Sequence, residues 1–352
     1  MLQRAVDNLY TWSEMNGLPI STEKTKGILF TRKKRYNKPQ LTLNGKSIPF
    51  VNHHVFLGVT LDYRLNWHAH LRETKMKALK NFAPLKALKN KRFGPAPHRL
   101  LNIYRTLVRT VFDYGCTAYA TATPTALKII ETTQNAGIRT ALRALPTSPI
   151  IAIQLLSEEP PLTYRRAFLT LKYCHKVSKT RDHVNYNMFF TNQNTLLNEY
   201  VRKWMQVANI DTAMLAKPPA VKKQLFECWR RTLANKTTHP LTQAKENTTK
   251  WTTNIYEKCS KDLSTTTAMI RIYTGHTLLT HKYIFSSSQP PTCEVCNGNP
   301  KLTITHVIFE CSKYTKERRR HITGVNPTEL YELKNIVKIK NFIIDANLIN
   351  LL

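Results

Sequence analysis

Four residues near the carboxyl end have the types and spacing for metal chemistry: Cys293-x2-Cys296-x9-His306-x4-Cys311. Three thiolates and an imidazole make up the mixed sulfur and nitrogen set that zinc takes in a tetrahedron, and a Cys-x2-Cys pair can close one compact knuckle around it. The surroundings suit that reading. Pro290-Pro291 precedes the first cysteine, Asn297-Gly298-Asn299-Pro300 supplies a turn, and His306 and Cys311 stand a little over one turn apart at the start of an expected helix. Four protein ligands leave no open coordination position, so the expected role of the ion is structural. The alternative is a set of ordinary reduced thiols beside a surface histidine. His276 and His281, five apart, are further candidate ligands, although a capping or core role suits them better. Cys116, Cys174, Cys228 and Cys259 have no partners in sequence and read as small core residues. The cysteines number seven, an odd count that points to reduced thiols or metal rather than a disulfide framework.

The second chemical signal is charge. Lys and Arg number 53 against 22 Asp and Glu, a formal balance of +31 over 352 residues. An excess of that size repels itself in a compact state unless a polyanion neutralises it, and it favours salt-dependent binding to nucleic acid with little sequence preference. Two local concentrations stand out: the run Arg32, Lys33, Lys34 and Arg35, and a longer stretch with Lys75, Lys77, Lys80, Lys86, Lys89, Lys91 and Arg92. Together they suggest a surface that tracks phosphates, which positions a duplex without reading its sequence. The competing explanations are a solvated basic surface of ribosomal or chromatin-like type, or attraction to anionic membrane.

The elements that must position these residues are expected to be mainly helical. Hydrophobic residues are 42% and aromatics 9% of the chain, enough for real cores and about two or three domains. Ala5, Leu9, Trp12 and Met15 predict one buried stripe on a first helix that Gly17 closes. Gly27 to Phe30 predicts a short strand. Leu41-Thr42-Leu43, the two-residue turn Asn44-Gly45, and Ile48 with Phe50-Val51 predict a hairpin, and Val55 to Leu61 reads as a buried strand interrupted by Gly58. From Trp67 onward the period is helical. Leu101, Tyr104, Val108, Val111 and Phe112 share one face while Arg105 and Arg109 lie on another, and Leu127, Ile130, Thr133 or Gln134, Ile138 and Leu142 repeat the pattern after Pro124. Further helices are expected around Leu196 to Met205, Val221 to Leu233 and Trp251 to Cys259. The fold class is therefore mainly α with a small β portion (α+β). The apolar stretch from Thr106 to Ala122 is broken by Arg109 and Asp113, no segment reaches membrane-spanning length, and the first residues lack a secretory pattern. A nuclear and cytoplasmic, ribonucleoprotein-like location follows as the expectation, with no membrane partner and no secretion.

The order of several motifs resembles the reverse transcriptases of jockey-like and related non-LTR retrotransposons. Leu9-Tyr10-Thr11-Trp12, then Gly17-Leu18-Pro19-Ile20, Lys24-Thr25-Lys26 and Ile28-Leu29-Phe30-Thr31, look like the palm segment just downstream of that family's active site. Phe56-Leu57-Gly58-Val59 is similar to its primer-grip hairpin. Ile103-Tyr104, Asp113-Tyr114-Gly115, and Gln134-Asn135 with Arg139 resemble the thumb, and Thr274 to His281 resembles the block before its terminal Cys-His cluster. The resemblance implies a palm remnant with a primer-grip-like hairpin at 1–66, a helical thumb-like domain at 67–180 and a helical connection at 181–268 without an intact ribonuclease H domain. After these come a Cys-His zinc-binding tail at 269–325 and an extension at 326–352. It implies that Lys24 stands where a palm lysine approaches the incoming nucleotide's phosphates. Lys24, Lys26, Arg32, Lys33, Lys34, Arg35, Phe56, Leu57, Gly58, Lys75, Lys77, Lys80, Arg105 and Arg109 would then contact RNA, an RNA-DNA hybrid or DNA. Gly58 would allow close backbone approach to a primer end. Family polymerases hold two catalytic Mg²⁺ ions about 3.5 to 4 Å apart on an aspartate pair and a third aspartate. These 352 residues contain no adjacent aspartates. The expectation is a truncated polymerase that keeps template-primer-binding parts and needs Mg²⁺ only in an intact parent; a stand-alone nucleic-acid-binding or chaperone protein is the alternative.

Overall fold

Helical periodicity dominates the sequence, and the computed structural model, which describes residues 1–90, 93–191, 195–236, 240–243 and 250–352, is mainly α with two small antiparallel sheets. Lys91 and Arg92 of the second basic stretch lie outside the described residues. The chain divides into two units, one made of Met1–Thr74 and Ala122–Ile129, the other of Lys75–Thr121 and Ile130–Leu352. No helix among the described residues is long and apolar enough to cross a membrane.

In the first unit, α1 (Leu2–Met15) lies against a hairpin of β1 (Thr42–Leu43) and β2 (Lys46–Ser47). Asn44 and Gly45 form its turn with φ of 48° and 71°, the left-handed pair that a two-residue connection requires. The buried face of α1 differs from the expected one. Leu9, Trp12 and Met15 are 54%, 54% and 81% exposed, whereas Val6 and Tyr10 pack on the small core of Leu41, Leu43 and Ile48, and Ser13 is buried. The hairpin decides this. Gln3 donates from Nε2 to the Thr42 carbonyl (2.8 Å) and accepts at Oε1 from the Thr42 N–H (2.9 Å), which turns Gln3, Val6, Tyr10 and Ser13 inward at the same 3-4 spacing.

The strand expected at Gly27 to Phe30 is reduced to one bridge. Gly27 donates to the Pro49 carbonyl and accepts from Val51, and its missing Cβ leaves room for the Phe50 ring, which a Cβ would meet at 2.9 Å. Beyond Phe50 the Asn52 carbonyl accepts from Tyr63, so the chain turns into a second hairpin and away from Ile28 to Phe30. That hairpin, β3 (His53–Phe56) and β4 (Val59–Asp62), corrects the reading of one buried strand. Leu57 and Gly58 have φ of 45° and 76°, so the glycine marks a reversal, and every residue of β3 is exposed. Behind it, the Asp62 carboxylate accepts from the backbone of Arg64, Asn66 and Trp67 and shapes the entry to α2 (His68–Leu88).

In the second unit, α3 (Pro97–Ile103), a π-helical turn (Tyr104–Arg109) and α4 (Thr110–Asp113) form one rod with Leu101, Tyr104, Val108 and Phe112 buried. Along α5 (Pro124–Leu142) the predicted Leu127, Ile130, Thr133, Gln134, Ile138 and Leu142 are all buried. A Cβ on Gly137 would meet the rings of Tyr104 and Phe82 at 2.8 and 2.9 Å, so only glycine lets α5 approach this closely. Then come α6 (Ile150–Ser157) and α7 (Leu162–Ser178), and α7 shares an apolar core with α8 (Leu196–Val207), α9 (Thr212–Leu215) and α10 (Pro218–Lys236). The chain continues through α11 (Pro240–Gln243), α12 (Trp251–Lys258), the wholly buried middle of α13 (Leu263–Thr274), α14 (Leu278–His281) and α15 (Tyr283–Ser286). It closes with α16 (Thr315–His321) and α17 (Ile336–Asp345), which pack together. Cys116, Cys174, Cys228 and Cys259 are buried, as their reading as core residues expected.

Candidate metal centre and basic surfaces

The Cys-His segment forms its knuckle through backbone bonds. Thr292 bridges Lys301 in antiparallel fashion, the Cys293 N–H donates to the Pro300 carbonyl (2.8 Å), and Gly298 and Asn299 turn the chain with φ of 79° and 44°. His306 then opens a π-helical turn, His306–Glu310, closed by the Cys311 N–H on the His306 carbonyl at 2.7 Å. The winding matters for the x4 spacing. In an α-helix positions five apart lie about 140° apart around the axis, whereas a π turn closes after five residues and brings His306 and Cys311 to one side.

The ligand atoms of Cys293, Cys296, His306 and Cys311 lie within 4.8 Å of one another. The Sγ atoms of Cys293 and Cys296 are 3.7 and 3.9 Å from that of Cys311. A tetrahedron with zinc–sulfur bonds of about 2.3 Å places its sulfurs about 3.8 Å apart, which the two distances to the Cys311 sulfur match. The imidazole agrees. His306 is 4% exposed, its Nδ1 lies 3.2 Å from the Glu310 carboxylate, and its Nε2 is buried without a hydrogen-bond partner. A carboxylate on one ring nitrogen fixes the other as the ligand.

The neighbouring His306 imidazole, with the backbone N–H of Val295, brings the Cys293 thiol down to about 6. Ser312 lowers Cys296 through its hydroxyl and N–H, each 3.3 Å from the sulfur. Burial pushes Cys311 up to about 11. Burial also opposes the charged form of His306, but Cys293 and Glu310 outweigh it and raise its pKa. The arrangement can hold a metal ion on four protein ligands. His276 and His281 stand apart from the four, stacked on each other at 3.5 Å.

The cationic candidates fall on different parts of the chain. Lys24, Lys26 and the run Arg32 to Arg35 are exposed in the turns of the first unit, where Phe56 and Leu57 also project at 63% and 75% exposure beside Gly58. Lys77 and Lys80 lie exposed on α2 in the second unit, away from the buried Ala78, Phe82 and Leu85, whereas Lys75 is half-buried on the same side as Phe82. Arg105 and Arg109 are engaged internally. Both grip Glu159, at 2.6 and 2.9 Å, and Arg105 also donates to the Ser157 carbonyl. Arg165 holds Asp113 at 2.7 Å, and Gln134 joins the Tyr104 hydroxyl to the Pro160 carbonyl.

Sequence reasoning missed Glu310, Ser312 and Glu159. Glu310 could have been found from its place four residues after a candidate ligand histidine. Glu159, 54 and 50 residues from its arginines, left no such signal.

No family model matches the chain, and no solved structure does. Over 124 residues, 35% of this chain and 14% of the other protein, it is 26% identical to the probable RNA-directed DNA polymerase from transposon X-element of Drosophila melanogaster, so part of this sequence is related to a retrotransposon RNA-directed DNA polymerase.

Proposed function

We propose that this chain is a template-primer-holding portion of a jockey-like non-LTR retrotransposon RNA-directed DNA polymerase, spanning the end of the palm, the thumb and a zinc-stabilised Cys-His tail. The similarity to the X-element polymerase carries the reading. The charge of +31 and the four clustered ligands agree with it. In this reading residues 1–66 are the palm end, 67–180 the thumb, 181–268 a helical connection and 269–325 the tail, with 326–352 as an extension. Its partner is RNA, an RNA-DNA hybrid or DNA, and its setting a nuclear and cytoplasmic ribonucleoprotein. The Phe56-Leu57-Gly58 tip would lie under a primer end and the exposed lysines along phosphates. Zinc, held by Cys293, Cys296, His306 and Cys311, would cross-link the tail. Polymerisation itself would need an aspartate pair beyond these residues, because no two aspartates here are adjacent.

The test uses the full chain with a primed RNA template. It should bind at low salt with micromolar or tighter affinity, lose that affinity steeply as salt rises, and incorporate no nucleotide with Mg²⁺ or Mn²⁺. Affinity unchanged between low and physiological salt would count against the reading, as would template-dependent incorporation that copurifies with the chain. Preference for duplex annealing over primer ends would favour a chaperone role instead.

A further inference from the structure

Where α5 ends, a cavity of about 470 Å³ is lined by Lys89, Arg139, Arg143 and Arg271, together with small neutral residues and no carboxylate. That volume falls in the range of small-ligand sites, about 300 to 1,000 Å³. Arg143 and Arg271 are only 5% and 8% exposed. Arg143 is fixed by the backbone carbonyls of Lys89, Asn90 and Pro95, Arg139 by that of Ser148, and Arg271 by the Arg143 carbonyl and a terminal oxygen of Leu352, the last residue of the sequence. Gly94 lies close beside the Arg143 guanidinium: a Cβ there would meet the Leu88 and Asn90 carbonyl oxygens at 2.3 and 2.5 Å and Arg143 Nη2 at 2.7 Å. Carbonyl contacts hold the guanidiniums in place but do not neutralise them. Among the described residues no carboxylate pairs with Arg139 or Arg143, and burial depresses the basicity of all three arginines. The Nη1 of Arg143 is buried with no partner at all.

Buried positive charge left uncompensated is strongly unfavourable, and the complement of a rigid guanidinium fork is an oxyanion that takes paired hydrogen bonds. We propose that this pocket binds a phosphodiester of a nucleic-acid backbone. The lining includes no aromatic ring on which a base could stack, so the pocket suits the phosphate and not the base. The proposal rests on the reading of the chain as a nucleic-acid binder and gives that reading one defined phosphate.

The experiment measures binding of unrelated RNA oligonucleotides by the full chain across a salt series. Lys89 is exposed, so Lys89→Gln leaves the fold intact, which near-ultraviolet circular dichroism checks; Arg139→Gln is the second variant. Each should weaken every RNA to a similar degree and reduce the slope of log K against log salt by about 1. Wild-type binding with both slopes unchanged overturns the pocket and leaves the nucleic-acid reading standing. No RNA binding by the wild type overturns both. Pyrophosphate that raises the wild-type Tm while the variants bind RNA like wild type would identify a free phosphate as the occupant and overturn the backbone assignment.

Discussion

Glu310 touches no metal ligand atom directly except through the far side of the His306 ring, yet it sets which nitrogen is available. Replacing it with Gln keeps the shape and removes the charge that orients the imidazole, so zinc affinity should fall about 10- to 100-fold in a competition titration with a chelator. Cys296→Ser should abolish stoichiometric zinc altogether, and metal analysis after dialysis measures both. The pH dependence has a definite sign. Zinc needs thiolates and a neutral imidazole, Cys311 holds its proton up to about 11, and the His306 pKa is raised, so protons compete with the ion at both positions. Acid should therefore release zinc, and alkali should tighten it. Retention of stoichiometric zinc by a Cys293, Cys296 double serine variant would show that other ligands bind the ion.

Among the elements, the Leu57-Gly58 turn and the Glu159 clasp yield opposite expectations. A leucine in the left-handed region is strained, and asparagine tolerates it, so Leu57→Asn should raise stability by about 0.5 to 1 kcal/mol while weakening binding to a primed template if the tip contacts it. Thermal unfolding and anisotropy titration separate the two effects. Glu159→Gln should instead destabilise, by about 2 to 3 kcal/mol, because it strands Arg105 and Arg109 beside a side chain only 6% exposed. Denaturant midpoints check this. These elements also show what a sequence can reveal. The buried positions of α5 were legible because a 3.6-residue period identifies a face by itself, and the clustering of Cys293, Cys296, His306 and Cys311 because their spacing is local. Leu57 gave no sign of its positive φ. On α1, two apolar faces competed, and the choice between them lay in a hydrogen-bonded pair with Thr42, 39 residues away. The arginines around the cavity come together across 128 residues, beyond the reach of any periodic pattern.

Charge acts across the molecule as a whole. With +31 spread along 352 residues, changing Lys33, Lys34 and Arg35 together to Glu should weaken RNA binding by a similar factor for unrelated sequences and leave the unfolding midpoint nearly unchanged. Filter binding on two sequences suffices, and a loss confined to one of them would show that this run reads bases. The exposed Leu9, Trp12 and Met15 stripe of α1 then has a practical consequence for handling the protein. Mutual repulsion between like-charged copies keeps such a stripe apart only while it is unscreened, and at 1 M salt screening cuts it off within about 3 Å. The ionic strength that strips adventitious RNA from a preparation therefore also lets the stripes meet, so the protein should stay dispersed when it carries polyanion or sits in dilute buffer, and clump in between, during the salt wash meant to clean it.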